Sequence, residues 1–187
     1  MVEPLPGDYL TAKTGGPWLD RLAAWLIRWG TARKINGGWV DAPVNHAAVF
    51  VGAGIIVEAV GKVRYGTIGE YPDAAWSTGR LPADLTPTPA QRKLIVDAAH
   101  DMIGRPYGWL DILAIGLAQK RAGHIVTSRT WWARRLSSGR TIICSETVEK
   151  AYLAAGITLV PGSLPGLVSP EDLDALLSPD TAQEASR

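Results

Sequence analysis

The 187-residue chain has one cysteine and one phenylalanine. A lone Cys144 closes no internal disulfide and is too little for a cysteine-based zinc site, so the thiol is free, buried or reactive. An excess of either charge is missing too: 19 Lys and Arg stand against 18 Asp and Glu, a net +1. No global field draws in nucleic acid. The longest nearly uncharged apolar run, Ala47 to Val57, is eleven residues with two glycines. A membrane-spanning helix needs about 20, so none is predicted. Met1 to Leu10 carries Glu3, Asp8 and two prolines, without a basic flank leading into an apolar core. This excludes a secretory leader there and predicts synthesis for a cytoplasm. No Gly-x-x-x-x-Gly-Lys loop, His-Glu-x-x-His pair or Gly-x-Ser-x-Gly elbow occurs, which removes sequence support for phosphate-loop, zinc-peptidase and serine-hydrolase readings.

What the chain does have is 47% hydrophobic and 20% charged residues at a mean hydropathy of +0.05, the balance of a folded globular protein. Its length suits one domain, read as residues 1–178, with a frayed tail over 179–187. Eight tryptophans are unusual beside the single phenylalanine, and serve either as core plugs or as a lipid- or glycan-gripping surface. Charge is uneven along the chain. Lys120, Arg121, Arg129, Arg134, Arg135 and Arg140 form a basic stretch with no acid between Ile112 and Ser145, whereas the region from Pro161 onward is acidic.

The element pattern is mixed, α+β. Tyr9-Leu10-Thr11 reads as a short strand, and Leu19, Leu22, Leu26 and Trp29 give helical spacing over Pro17 to Trp29. Val44 to Val51 and Ile55 to Val60 are β-branched runs around Gly52-Ala53-Gly54, the pattern of a hairpin. Thr88-Pro89-Ala90-Gln91 is a capping box that opens a helix expected to stop at Gly104. Further helices are predicted over about Trp109 to Arg121, over Cys144 to Ala155 before Gly156, and from Ser169-Pro170-Glu171-Asp172.

Cys144 stands in the first turn of its helix, where the macrodipole and the basic stretch favour a thiolate and Glu146 opposes it. The plain alternative is a small buried hydrophobe. Of three histidines, His100 and His124 suit a helix end and a basic loop. His46 stands out because it interrupts an apolar strand, where an imidazole costs free energy unless it is hydrogen-bonded or faces a cleft. With Gly52 to Gly54 as a three-residue loop, Val51 faces Ile55 and His46 faces Val60, which sets Glu58 diagonally beside His46, within side-chain reach. A two-residue loop would turn Glu58 to the other face. The candidate constellation is Cys144, His46 and Glu58, and Glu58 otherwise reads as a solvated strand residue.

The segments Ile103-Gly104-Arg105-Pro106-Tyr107-Gly108-Trp109 and Ile143-Cys144-Ser145-Glu146-Thr147-Val148 resemble those of NlpC-type cysteine peptidases, in which Gly-x-Pro-Tyr precedes a Cys-Ser pair opening a helix. Here the histidine strand, His46-Ala47-Ala48-Val49-Phe50-Val51-Gly52, comes before the cysteine. That circularly permuted order is similar to the permuted papain-like amidases of the YaeF/YiiX type, over about Gly7 to Leu173. The resemblance implies a permuted papain-like fold with a small antiparallel sheet against helices. It also implies Cys144 as nucleophile, His46 as general base and acid, Glu58 as the residue orienting the imidazole, and Tyr107 as an oxyanion donor whose alternative is core packing. No metal or organic cofactor is implied. The Trp-rich stretch Thr11 to Trp39 and the basic stretch Lys120 to Arg140 fall outside the likeness.

The function expected from this likeness is hydrolysis of a peptide or isopeptide amide, with bacterial cell-wall peptide as the substrate class. An enzyme made without a leader reaches peptidoglycan after lysis, by another export route or within a phage particle. A second reading keeps the site but acts on lipid esters or thioesters, as do the lecithin:retinol acyltransferase relatives, with Trp18, Trp25, Trp29, Trp131 and Trp132 on a membrane and the basic stretch on an anionic surface. A third is a non-enzymatic structural protein with an idle site. Six cations without a nucleic-acid motif give the weakest reading, a polyanion patch.

Overall fold

The computed structural model describes residues 3–14, 33–35, 38–40, 44–71, 75–77, 79–108, 141–163 and 168–177. The helices predicted over Pro17 to Trp29 and Trp109 to Arg121, the basic stretch and the 179–187 tail lie outside the described residues, as does most of the Trp-rich stretch. Among the described residues the fold is α+β. Seven strands run in chain order: β1 (Tyr9–Lys13), β2 (Arg33–Ile35), β3 (Gly38–Val40), β4 (His46–Gly52), β5 (Ile55–Val60), β6 (Lys62–Thr67) and β7 (Ala75–Ser77). Three helices follow: α1 (Pro89–Asp101), α2 (Cys144–Ala154) and α3 (Pro170–Leu176). A 3₁₀ turn, Ile68–Glu70, leaves β6. Five strands form one antiparallel sheet in the order β6-β5-β4-β1-β7, and β2 pairs with β3 separately. No described helix is long and apolar enough to cross a membrane.

The β4–β5 hairpin forms where the β-branched runs predict it, but its turn differs. The loop has two residues, Ala53 and Gly54, with Gly52 paired to Ile55. Both turn residues take positive φ, 51° and 74°, as the twist-matching type I′ turn requires. That turn alone would have put Glu58 on the wrong face. A β-bulge between Phe50 and Gly52 inserts one extra residue, so that Phe50 pairs with Ile56, Val49 with Val57 and Ala48 with Glu58. The bulge thus restores the register that a three-residue loop would have given. β5 continues into β6 through Gly61, at φ 68°, and pairs Glu58 directly with Arg64.

Period-two alternation then sorts the sheet into two faces. Tyr9, Ala47, Val49, Val57, Ala59 and Val63 pack with Ile95 and Ala99 of α1 and with Val148, Ala151 and Tyr152 of α2. Leu10, Ala48, Phe50 and Ile56 line the other face with Ile68, Tyr71 and Trp76. α1 begins with the predicted box: Gln91 N–H donates to Thr88 Oγ1 at 3.3 Å, and Thr88 N–H donates to Gln91 Oε1 at 3.0 Å. The helix ends at Asp101, one turn before Gly104, whose φ of 88° completes the reversal. α2 stops at Ala154, and Gly156 follows at φ 77°. Buried hydroxyls fasten the chain ends to this frame. Tyr9 donates to the Leu173 carbonyl at 2.7 Å, Tyr152 to the Gly7 carbonyl at 2.9 Å, and Ser145 to the Val168 carbonyl at 2.6 Å.

Candidate active site

Two element starts meet at the site. His46 is the first residue of β4, and Cys144 is the first residue of α2, which packs against β4. Both are nearly sealed from solvent, at 6% and 2% exposure. The His46 ring bonds Glu58 on one side and lies close enough to the Cys144 thiol for the two side chains to influence each other's charge. Its Nε2 stands 2.8 Å from Glu58 Oε2, so Nε2–H faces the carboxylate and Nδ1 is the ring nitrogen free of it. The fold therefore brings Cys144 to the His46–Glu58 pair of the β4–β5 hairpin.

Glu58 lies where the diagonal argument placed it, on the same sheet face as His46, and it is fully buried. An anion there needs compensation, since an isolated buried carboxylate is very costly. Three groups supply it. His46 and the Tyr71 hydroxyl both donate to Oε2, the latter at 2.7 Å, and Arg64 Nη2 stands 2.7 Å from Oε1 as an ion pair without hydrogen-bond angles. Burial pushes the Glu58 carboxyl up, but the His46 bond and charge, the Tyr71 hydroxyl and the Arg64 charge together hold it below its ordinary value. For His46, burial pulls the imidazole down, but the hydrogen bonds to Cys144 and Glu58, aided by their charges, raise it from 6.5 to about 9.

Aromatic rings enclose the imidazole. The Tyr71 ring centroid lies 5.7 Å away and the Trp76 centroid 6.0 Å, and these two rings meet edge to face at 5.6 Å. Gly66 is required beside Glu58, because a Cβ there would fall 2.5 Å from Oε1. Glu146, the acid expected to oppose a thiolate, has its own partners. Lys150 Nζ stands 2.8 Å from Oε1, and Ile143 N–H donates to Oε2 at 3.4 Å.

Tyr107 is buried in the same cluster as Cys144, and its chain segment joins the site through backbone pairing. It forms a parallel bridge with Ile142, two residues before Cys144, with Gly108 N–H donating to the Ile142 carbonyl at 3.1 Å. His100 is elsewhere, bonded through Nδ1 to the Tyr65 hydroxyl at 2.7 Å, and His124 lies outside the described residues. Among the described residues no group of three or more His, Cys, Asp or Glu side chains is placed to hold a metal ion.

The sequence reading missed Arg64, Gly66 and Tyr71. Strand β6 was not foreseen, and without it neither Arg64 nor Gly66 has a reason to be near Glu58. A usable signal existed in Gly61 between two β-compatible runs, which sets Arg64 opposite Glu58 when it is read as a tight turn. No family model matches the sequence, and no curated protein matches it closely enough to count as a relative.

Proposed function

We propose that the chain is a cysteine hydrolase of circularly permuted papain-like fold, cleaving an amide bond through a thioacyl-enzyme. The observation that carries this reading is the His46 ring, bonded to a buried, compensated carboxylate and set beside the thiol that opens a helix. A nucleophile, a base and a residue that orients the base are the parts acyl transfer asks for.

In this reading the Cys144 sulfur attacks the substrate carbonyl carbon as a thiolate, with His46 as its imidazolium partner. Collapse of the tetrahedral intermediate breaks the C–N bond, and the proton on Nδ1 passes to the leaving amine. Nδ1 then takes a proton from water, whose oxygen attacks the thioester, and the thiol leaves as the acid is released. Glu58 keeps Nε2–H fixed and balances the imidazolium charge throughout. The Cys144 backbone N–H, unpaired by position in the first turn of α2, and the Tyr107 hydroxyl are the proposed oxyanion donors. Cell-wall peptide is the substrate class that the likeness to permuted amidases favours.

The test is the rate of Cys144 alkylation by iodoacetamide in wild type and His46→Ala. At about pH 6.5 the wild type is expected to react at least about tenfold faster, the two rates converging above about pH 9.5 where any thiol is ionised. Equal rates at pH 6.5, with both proteins folded, would overturn the reading.

A further inference from the structure

Glu58 has a partner on the side away from His46, and that partner faces outward. In the β5–β6 ladder Arg64 is paired directly with Glu58, the position from which one strand's side chain meets its neighbour's. Its Nη2 stands 2.7 Å from Glu58 Oε1 and donates to Glu70 Oε2 at 2.9 Å. Glu58 is fully buried, whereas the Arg64 and Glu70 side chains are 35% and 42% exposed. One nitrogen therefore links a surface carboxylate to the buried one, and the buried one to the imidazole.

We propose that Arg64 is a positioning residue for the Cys144–His46–Glu58 site, holding the Glu58 carboxylate in place and drawing off part of its charge, so that His46 remains able to release its proton. The proposal rests on the catalytic reading above. A fully buried carboxylate whose only cation is His46 would bind the imidazolium too firmly, and an imidazolium held that firmly is a poor acid toward a leaving amine. Arg64 divides that attraction. Among the described residues, the groups facing the imidazole and its carboxylate are Cys144 from α2, Glu58 from β5, Arg64 from β6, Glu70 from the 3₁₀ turn, and the Tyr71 and Trp76 side chains. Along Nη2, Oε1, Oε2 and Nε2 the Arg64 charge lies roughly 7 Å from the ring. Between a dielectric of about 20 and that of water, that separation corresponds to about 0.5–1.5 pH units, and the Glu70 carboxylate bound to Arg64 offsets part of it, leaving about 0.5–1 unit.

The experiment is an NMR titration of the His46 imidazole, assigned by its loss in His46→Ala, in four full-length proteins: wild type, Arg64→Met, Arg64→Lys and Glu70→Gln. Arg64→Met is expected to move the His46 titration upward by about 0.5–1 unit, Arg64→Lys to recover at least half of that, and Glu70→Gln to move it slightly downward. Iodoacetamide alkylation run alongside should show its high-pH limb moving with the imidazole. A folded Arg64→Met that titrates within about 0.2 unit of wild type, or a Lys variant that recovers nothing, overturns the proposal. If Arg64→Met does not fold, Glu70→Gln, altered only at an exposed side chain, decides by its sign. Failure of His46→Ala to slow alkylation in the Arg64-intact chain sinks the catalytic reading itself, whereas normal His46 dependence with an unmoved titration sinks the Arg64 role alone.

Discussion

Replacing Gly66 by alanine inserts a methyl group into space the Glu58 carboxylate already fills. The new Cβ would lie 2.5 Å from Oε1 and 3.0 Å from Cδ, whereas non-bonded heavy atoms settle near about 3.5 Å. Either the oxygen retreats by about 1 Å or β5 and β6 separate. In an exposed glutamate the retreat would cost little. Here Oε2 is held by His46 at 2.8 Å and by Tyr71 at 2.7 Å, and Oε1 by Arg64 at 2.7 Å, so a movement of that size breaks at least one charged contact. A charged hydrogen bond contributes about 1.5–3 kcal/mol and overpacking costs about 1–3 kcal/mol, while removing a strand glycine returns about 0.5–1 kcal/mol. The expected net loss is about 2–4 kcal/mol.

Urea denaturation of Gly66→Ala at pH 7 measures this loss, and the Glu58→Asp background isolates its cause. Shortening the side chain by one methylene withdraws the carboxylate from the new methyl group, so Gly66→Ala should cost at most about 1 kcal/mol there. The resulting coupling of about 1–3 kcal/mol is the signature of direct contact. A single variant within about 0.5 kcal/mol of wild type, or an equal cost in both backgrounds, would refute the claim that Gly66 exists to seat Glu58.

Two further predictions concern sites away from the imidazole. Ala53 holds φ at 51° in the β4–β5 turn, a conformation alanine adopts at a cost and asparagine tolerates, so Ala53→Asn should raise the urea midpoint by the equivalent of about 0.5–1 kcal/mol, and a lowered midpoint would contradict the turn assignment. Glu149 is 6% exposed with Oε2 unpartnered, and burial, with Glu146 and Asp172 adding to it, raises its carboxyl from 4.5 to about 8. Its neutral form is thus the one the fold tolerates. Stability from this group is full below pH 4.5 and falls as pH rises through about 8, so Glu149→Gln should exceed wild type by on the order of 2–4 kcal/mol at pH 9 and match it near pH 4.5. Parallel stability curves for the two proteins across that range would refute it.

The parts of the fold legible in the sequence were those fixed by neighbouring residues. Thr88 with Gln91 and Ser169 with Asp172 cap their helices through bonds spanning three residues, and both helices begin where those pairs place them. The pairing of His46 with Glu58 was legible for a less secure reason. From the sequence the pairing follows from a three-residue loop and fails for a two-residue one, whereas the chain uses the two-residue turn that Ala53-Gly54 permits and restores the register with a bulge that no local pattern announces. Strand β6 was illegible because its alternation is weak: Val63 is its only buried apolar side chain, Tyr65 is 51% exposed, and Gly66 carries no side chain to read. A one-residue slip of such a strand would lose little hydrophobic burial. It would, however, replace Arg64 opposite Glu58 with Val63 or Tyr65 and leave a fully buried carboxylate without its outer cation, at a cost of several kcal/mol. It would also move Gly66 away from the place where an added Cβ would collide with the Glu58 carboxylate. The register of β6 is therefore set less by the apolar pattern than by the charge it must compensate. For that reason Arg64 and Gly66 become visible only once Glu58 is known to be buried.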